Sequence, residues 1–453
     1  MNARSNELIG LLCTLGCVLC VPACMKEQSV LGRRPTSPSD GQLDAAGSGA
    51  PDRPRADAPL VAAGSTGGFP PIVPSNIQPA LVGRPLDLLF VIDDSSSMEQ
   101  EQSILRAQIP AMMRAITTGL LDDRTTTPIR DLQVGVVSAD LGVAGVATGW
   151  PGCNSDNGDD GVLQHPGSTS PTCAASYPPF LEFTLGRNDP NDLTANLACM
   201  ADLGFRGCGV KQPLEAALKA VWPMVYKDQA GTTYTPEQNP VQFLSATAEG
   251  RFGHGDSAPN VGFLRNEEPS GPATLAIVLI TDSDDCSVRD TSAFQPSSEP
   301  ANDSGPNLRC YRNREKLFDL VRYTAGYRVL RPGNEASVFF AAIVGVPAEL
   351  VSADARANVD WSDTAATDAY YDAILRDDRM QERPMNEDMP SIGHLAPSCT
   401  RTDKSGTRAD AYPPRRIVEV AKTFGPRGIV QSICQDDFRP VIGAILDRVQ
   451  SLP

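Results

Sequence analysis

The sequence predicts an α/β domain, a doubly wound and mostly parallel sheet flanked by helices, on three observations. Strand-like and helix-like segments alternate from residue 86 to the C-terminus, the order that builds crossover units. The strand-like runs are almost continuously apolar and rich in branched residues, as in Leu-Asp-Leu-Leu-Phe-Val-Ile at 86–92, which is how strands covered on both faces read. Three long stretches rich in Gly, Pro, Asn and Asp, at about 142–190, 223–272 and 347–414, interrupt the alternation. Loops of that length inside a domain are functional or separately stabilised, and we read them as disulfide-pinned insertions.

Each element has its own reason. After the first strand, Leu105, Ile109, Met112, Ile116 and Leu120 recur at three- and four-residue steps, the spacing of one helix face; Pro110 would bend that helix. Residues 132–138 read as a second strand and 191–200 as a short helix. Leu214, Leu218, Val221 and Trp222 share a face of another helix, opened by Pro213 in its first turn. Residues 274–281 form a strongly apolar strand, 312–327 a helix, 337–346 a strand, 416–424 a helix and 429–434 the last strand. Asp436 or Asp437 can cap a final helix with Phe438, Val441, Ile442, Ile445, Leu446 and Val449 inward.

The N-terminus reads as a processing signal. Arg4 precedes an apolar run over 8–21, too short to span a bilayer comfortably, which ends in Val21-Pro22-Ala23-Cys24. That ending resembles a bacterial lipoprotein signal. It implies a signal peptide at 1–23, acylation of Cys24 and an outer-membrane anchor, since Met25 rather than Asp follows the cysteine; a plain secretory signal is the alternative. Residues 24–84, rich in Pro, Gly, Ser and Ala without a sustained period, read as a disordered tether, and 85–453 as the folded domain. Of the 12 cysteines, those beyond the leader and Cys24 are Cys153, Cys173, Cys199, Cys208, Cys286, Cys310, Cys399 and Cys434. An even set in an exported chain predicts disulfides, and nearest-neighbour pairing would give 153–173, 199–208, 286–310 and 399–434. A net charge of −16 over 453 residues excludes nonspecific nucleic-acid binding, which needs basic patches. Sequence leaves the oligomeric state open.

The most informative join is Asp93-Asp94-Ser95-Ser96-Ser97, directly after the first strand. One carboxylate and two hydroxyls at alternating positions are hard oxygen donors, suited to Mg²⁺, Ca²⁺ or Mn²⁺ rather than zinc. Asp93-x-Ser95-x-Ser97 after such a strand resembles the metal-ion-dependent adhesion site (MIDAS) of von Willebrand factor A (VWA) domains, and Ile280-Thr281-Asp282 ends a later strand where that family places a second aspartate. The resemblance implies direct coordination by Ser95 and Ser97, coordination by Asp93 and Asp282 directly or through water, and a partner carboxylate completing the shell of a Mg²⁺ ion. It also implies a threonine before a middle helix. The corresponding residues 204–213 hold none; Gln212 could offer a carbonyl oxygen, and Lys211 would oppose a cation if it turned inward. Asp284 and Asp285 could add negative field or hold a second cation. The 154–161 run, Asn-Ser-Asp-Asn-Gly-Asp-Asp-Gly, has calcium-friendly residues but lacks the closing Glu of an EF-hand, and reads rather as a solvated, turn-rich loop beside Cys153.

No HExxH, GxSxG, Walker or Rossmann fingerprint is present, and the three histidines, His165, His254 and His394, are scattered among loops. The expectation is therefore an exported lipoprotein without catalysis that binds a protein or peptide carboxylate through a divalent-metal site. The alternative is an envelope scaffold with a degenerate metal site.

Overall fold

A computed structural model describes residues 84–451 except 121–124, 151, 154–155, 166–169, 268–270, 296–305 and 386–393. The signal peptide, Cys24 and nearly all of the tether lie outside the described residues. Six strands form the main sheet: β1 (Leu86–Ile92), β2 (Asp131–Ser138), β3 (Phe180–Thr184), β4 (Thr274–Ile280), β5 (Val338–Val344) and β6 (Gly428–Ser432). Their spatial order is β6-β5-β4-β1-β2-β3. Every pairing is parallel except β2 with β3. The fold class expected from the sequence is thus the one observed.

The helices are α1 (Glu99–Thr118), α2 (Pro190–Met200), α3 (Pro213–Val221), α4 (Pro306–Arg312), α5 (Val321–Val329), α6 (Ala353–Ala357), α7 (Thr364–Arg376), α8 (Arg415–Thr423) and α9 (Arg439–Ser451). Side chains alternate across a strand, and β1 uses both sides. Leu86, Leu88, Phe90 and Ile92 pack with Leu105 and Ile109 of α1, Leu197 of α2 and Ile442 of α9. Leu89 and Val91 pack with Leu214 and Leu218 of α3, Tyr327 of α5 and Val418 of α8. Covering both faces removes any need for polar alternation along the strand, hence a run that is apolar at every position but Asp87.

Three expectations need correction. Phe180–Thr184 lies inside the 142–190 stretch yet supplies the antiparallel edge strand, burying only Leu181 and Phe183. The helix expected over 312–327 is split into α4 and α5, because the segment between them pairs with the loop after β4: Phe318 donates its amide to Ser287 O at 3.0 Å, and Arg289 donates to Lys316 O at 2.8 Å. The disulfides are 153–208, 173–199, 286–310 and 399–434, so two nearest-neighbour pairs are exchanged. The sheet decides this. Cys208 is held beside the end of β2, its amide donating to Asp140 Oδ2 at 2.9 Å, while Cys199 rides on α2, which packs against α1 and β3. Four cross-links mark an exported protein. Among the described residues no helix is long and apolar enough to cross a membrane.

Candidate functional site

The strand order reverses at β1, which has β2 and β3 on one side and β4, β5 and β6 on the other. Open α/β sheets bind ligands at the carboxyl edge of such a reversal. Ile92 pairs in register with Ile280, which sets Asp93 and Thr281 at the same height on neighbouring central strands. Asp93 is held there by its amide donating to Ile280 O at 2.9 Å. Its Oδ1 accepts the Ser95 amide at 2.9 Å and its Oδ2 accepts Thr281 Oγ1 at 2.7 Å. Ser95 Oγ and Ser97 Oγ stand 3.2 Å apart; Ser95 is buried and Ser97 is exposed. The structure therefore brings Asp93, Ser95, Ser97 and Asp282 together, with Ser97 at the mouth.

Lys211 enters this group from the loop before α3. Its Nζ donates to Ser283 Oγ at 3.0 Å and Ser97 Oγ at 3.4 Å, and lies 3.2 Å from Asp282 Oδ1. The side chain is only 5% exposed. Burial alone would depress the ammonium's pKa, but the carboxylates of Asp282 and Asp93 outweigh it and hold it above the ordinary lysine value. Burial pushes Asp93 up, against the opposing pull of Lys211 and with a further push from Asp282. Ser283 Oγ donates to Asp282 Oδ1 at 2.8 Å, leaving Asp282 Oδ2 buried without a hydrogen-bond partner.

Gln212 does not join the site. Its amide donates to Ala139 O and its Nε2 to Gly142 O, both at 3.0 Å, so it fastens the loop to the end of β2. Asp284 and Asp285 are likewise occupied. Asp284 accepts the amides of Arg416 at 3.0 Å and Ile417 at 3.3 Å in the first turn of α8, and burial, reinforced by Glu382, pushes its carboxyl up to about 8. Asp285 accepts the amide of Leu214 at the start of α3 and the Ser287 hydroxyl, at 3.1 and 2.7 Å. In the described part of the 154–161 run, Asp160 pairs with Lys219 and His254, and Asn157 Oδ1 accepts from Ser245 and Ala246. These donors are turned to separate partners. The histidines do not converge either: His254 faces Asp160, while His394 packs edge-on to Tyr412.

Several residues that sequence spacing did not single out complete the edge. Gln102 Nε2 donates to Asp93 O at 2.9 Å. Asp94 O accepts the Gly207 amide at 2.8 Å. The Asp94 carboxyl is pushed up to about 8, by burial first and then by Asp140, Asp93 and Asp159. Glu101 is buried with Oε2 unpartnered, and burial raises its carboxyl to about 7. An open cleft beside this edge is lined by Ile104, Arg106, Phe205 and Arg401.

The residues as arranged do not fit a divalent ion. Magnesium–oxygen bonds are about 2.1 Å, so an ion bound to Ser97 Oγ or Asp282 Oδ1 would lie no more than about 5.5 Å from the Lys211 nitrogen. At an effective dielectric of about 20 the repulsion between those charges is about 6 kcal/mol.

No family model matches this chain, and no curated protein matches it. Among solved structures it is similar to proximal thread matrix protein 1 from the mussel byssus, with 12% identity and a TM-score of 0.20. That match covers 58% of this chain and 38% of the byssus protein's chain. A likeness at that level adds nothing to what the strand order shows.

Proposed function

We propose that this chain is an exported, non-catalytic scaffold of the cell envelope, built on a VWA-type domain and carried from the membrane by an acylated Cys24 and the 24–84 tether. In this reading it meets its neighbours through the loops around the carboxyl edge of the sheet, as rigid scaffolds commonly do, and no metal-bridged carboxylate is needed. One observation carries the reading: the acidic loop after β4 is wired inward. Asp282 faces Lys211, Asp284 caps α8 and Asp285 caps α3.

One observation favours the adhesion reading instead, in which Mg²⁺, Ca²⁺ or Mn²⁺ bridges the site to a partner carboxylate: the Asp282 Oδ2 acceptor is buried without a donor. Cross-linking of the full chain in its native envelope separates the two. The scaffold reading expects the same cross-linked partners with and without EDTA, and the same partners from Ser95→Ala/Ser97→Ala, with Cys24→Ser releasing the protein from the membrane fraction. Partners lost on chelation and lost again in the double mutant would replace it with the adhesion reading.

A further inference from the structure

We infer that the Lys211 ammonium is a tethered cation that takes the place of a divalent ion between Asp282 and Ser97, making the site metal-independent. The inference deepens the scaffold reading at the same edge and rests on it only for what a partner would meet there.

The geometry is that of a built contact. An ammonium has three donors, and Lys211 Nζ has three oxygen neighbours, Ser283 Oγ, Asp282 Oδ1 and Ser97 Oγ, at 3.0, 3.2 and 3.4 Å. No donor is left over for a ligand, and an ammonium has no coordination position to open. The backbone leaves Lys211 little freedom. Cys208, three residues before it, is cross-linked to Cys153. The Lys211 carbonyl accepts the amide of Cys286 at 2.8 Å, and Cys286 is itself cross-linked to Cys310. The next residue, Gln212, is tied to the end of β2 through Ala139 O and Gly142 O. The loop thus delivers one positive charge to two buried carboxylates, Asp93 and Asp282. A divalent ion would neutralise both carboxylates and offer open coordination positions to an acidic partner; the ammonium neutralises only one of them and offers no such position.

The test uses the full chain, with Mg²⁺ and Mn²⁺ alone as probes, in isothermal titration and in thermal unfolding with and without EDTA. Wild type should show no saturable binding and an unfolding midpoint indifferent to chelator. Lys211→Thr, which removes the charge and supplies a hydroxyl, should bind the ion saturably at concentrations at least about a hundredfold below the highest at which wild type still shows no saturation, since a close cation no longer opposes the ion. An added Ser95→Ala should abolish that gain. Lys211→Gln, of similar length and with an amide oxygen, is the second variant should the threonine protein fail to fold. Saturable wild-type binding that Ser95→Ala/Ser97→Ala abolishes would overturn the inference. A folded variant that gains no ion binding would overturn it too, while leaving the scaffold reading standing if the cross-linked partners remain indifferent to EDTA.

Discussion

Strand β1 carries a buried aspartate near each end, and the two are treated differently. Asp87, near the start, meets two guanidiniums: Arg265 Nε at 2.7 Å and Arg331 Nη2 at 2.7 Å, with the Arg265 amide at 2.9 Å. Arg331 is fully buried and also donates to Ala273 O and Asn266 Oδ1. Asp93, just past the other end, shares a single ammonium with Asp282 and is otherwise held by a hydroxyl and an amide. At the first end both carboxylate oxygens have donors; at the second, Asp282 Oδ2 and Glu101 Oε2 have none. Both aspartates of this strand are satisfied, but around Asp93 the neighbouring Asp282 and Glu101 are left short of donors. The contrast is consistent with the proposal that partners are met at the carboxyl edge.

The sharpest way to break the contrast is at the closed end. Arg331→Ala removes one partner of a buried pair, and such losses cost about 3–5 kcal/mol; denaturant unfolding should show it. Next is the cross-link behind Lys211. Cys153→Ser/Cys208→Ser should cost about 2–4 kcal/mol, and peptide mapping of the unreduced protein should recover 153–208 and 173–199 as linked peptides.

The donor-poor end also predicts a pH dependence. Glu101 has its carboxyl raised from 4.5 to about 7 in the folded state, so the folded chain binds the proton more tightly than the unfolded chain. Its stabilising contribution is then full below about pH 4.5 and is lost as pH rises through about 7. Thermal midpoints across that window should fall less steeply with rising pH in Glu101→Gln than in wild type. The smallest effect should come from the hydroxyls: Ser95→Ala and Ser97→Ala remove ordinary hydrogen bonds, each costing about 0.5–1.5 kcal/mol, Ser97 the less because it is exposed.

What could be read in advance follows the same division. The central strands were legible because burial on both faces leaves no polar alternation to blur the run, and Asp93, Ser95, Ser97 and Asp282 were legible because they sit where such strands end. Strand β3 was not, since five residues covering one face give a weak signal within a long irregular stretch. The split between α4 and α5 was hidden because residues 316–318 satisfy their backbone against the loop after β4, a long-range pairing that local periodicity does not report. The disulfide partners depended on which loops the sheet brings together. Lys211 shows the limit most plainly. A lysine in a Gly-rich loop ordinarily faces water, and only the Cys153–Cys208 cross-link and the Cys286 amide on its carbonyl turn it into the site. Asp284 and Asp285, which suggested a second cation, became helix caps for the same reason: the amides of α8 and α3 lie within reach only in three dimensions.

The most direct measurement is the thermal midpoint of the intact wild-type chain across a Mg²⁺ series from EDTA to excess, beside Ser95→Ala/Ser97→Ala. A tethered ammonium predicts no change in midpoint with Mg²⁺ for either protein. A saturable rise in wild type that the double mutant lacks would contradict the account and return the site to a metal ion.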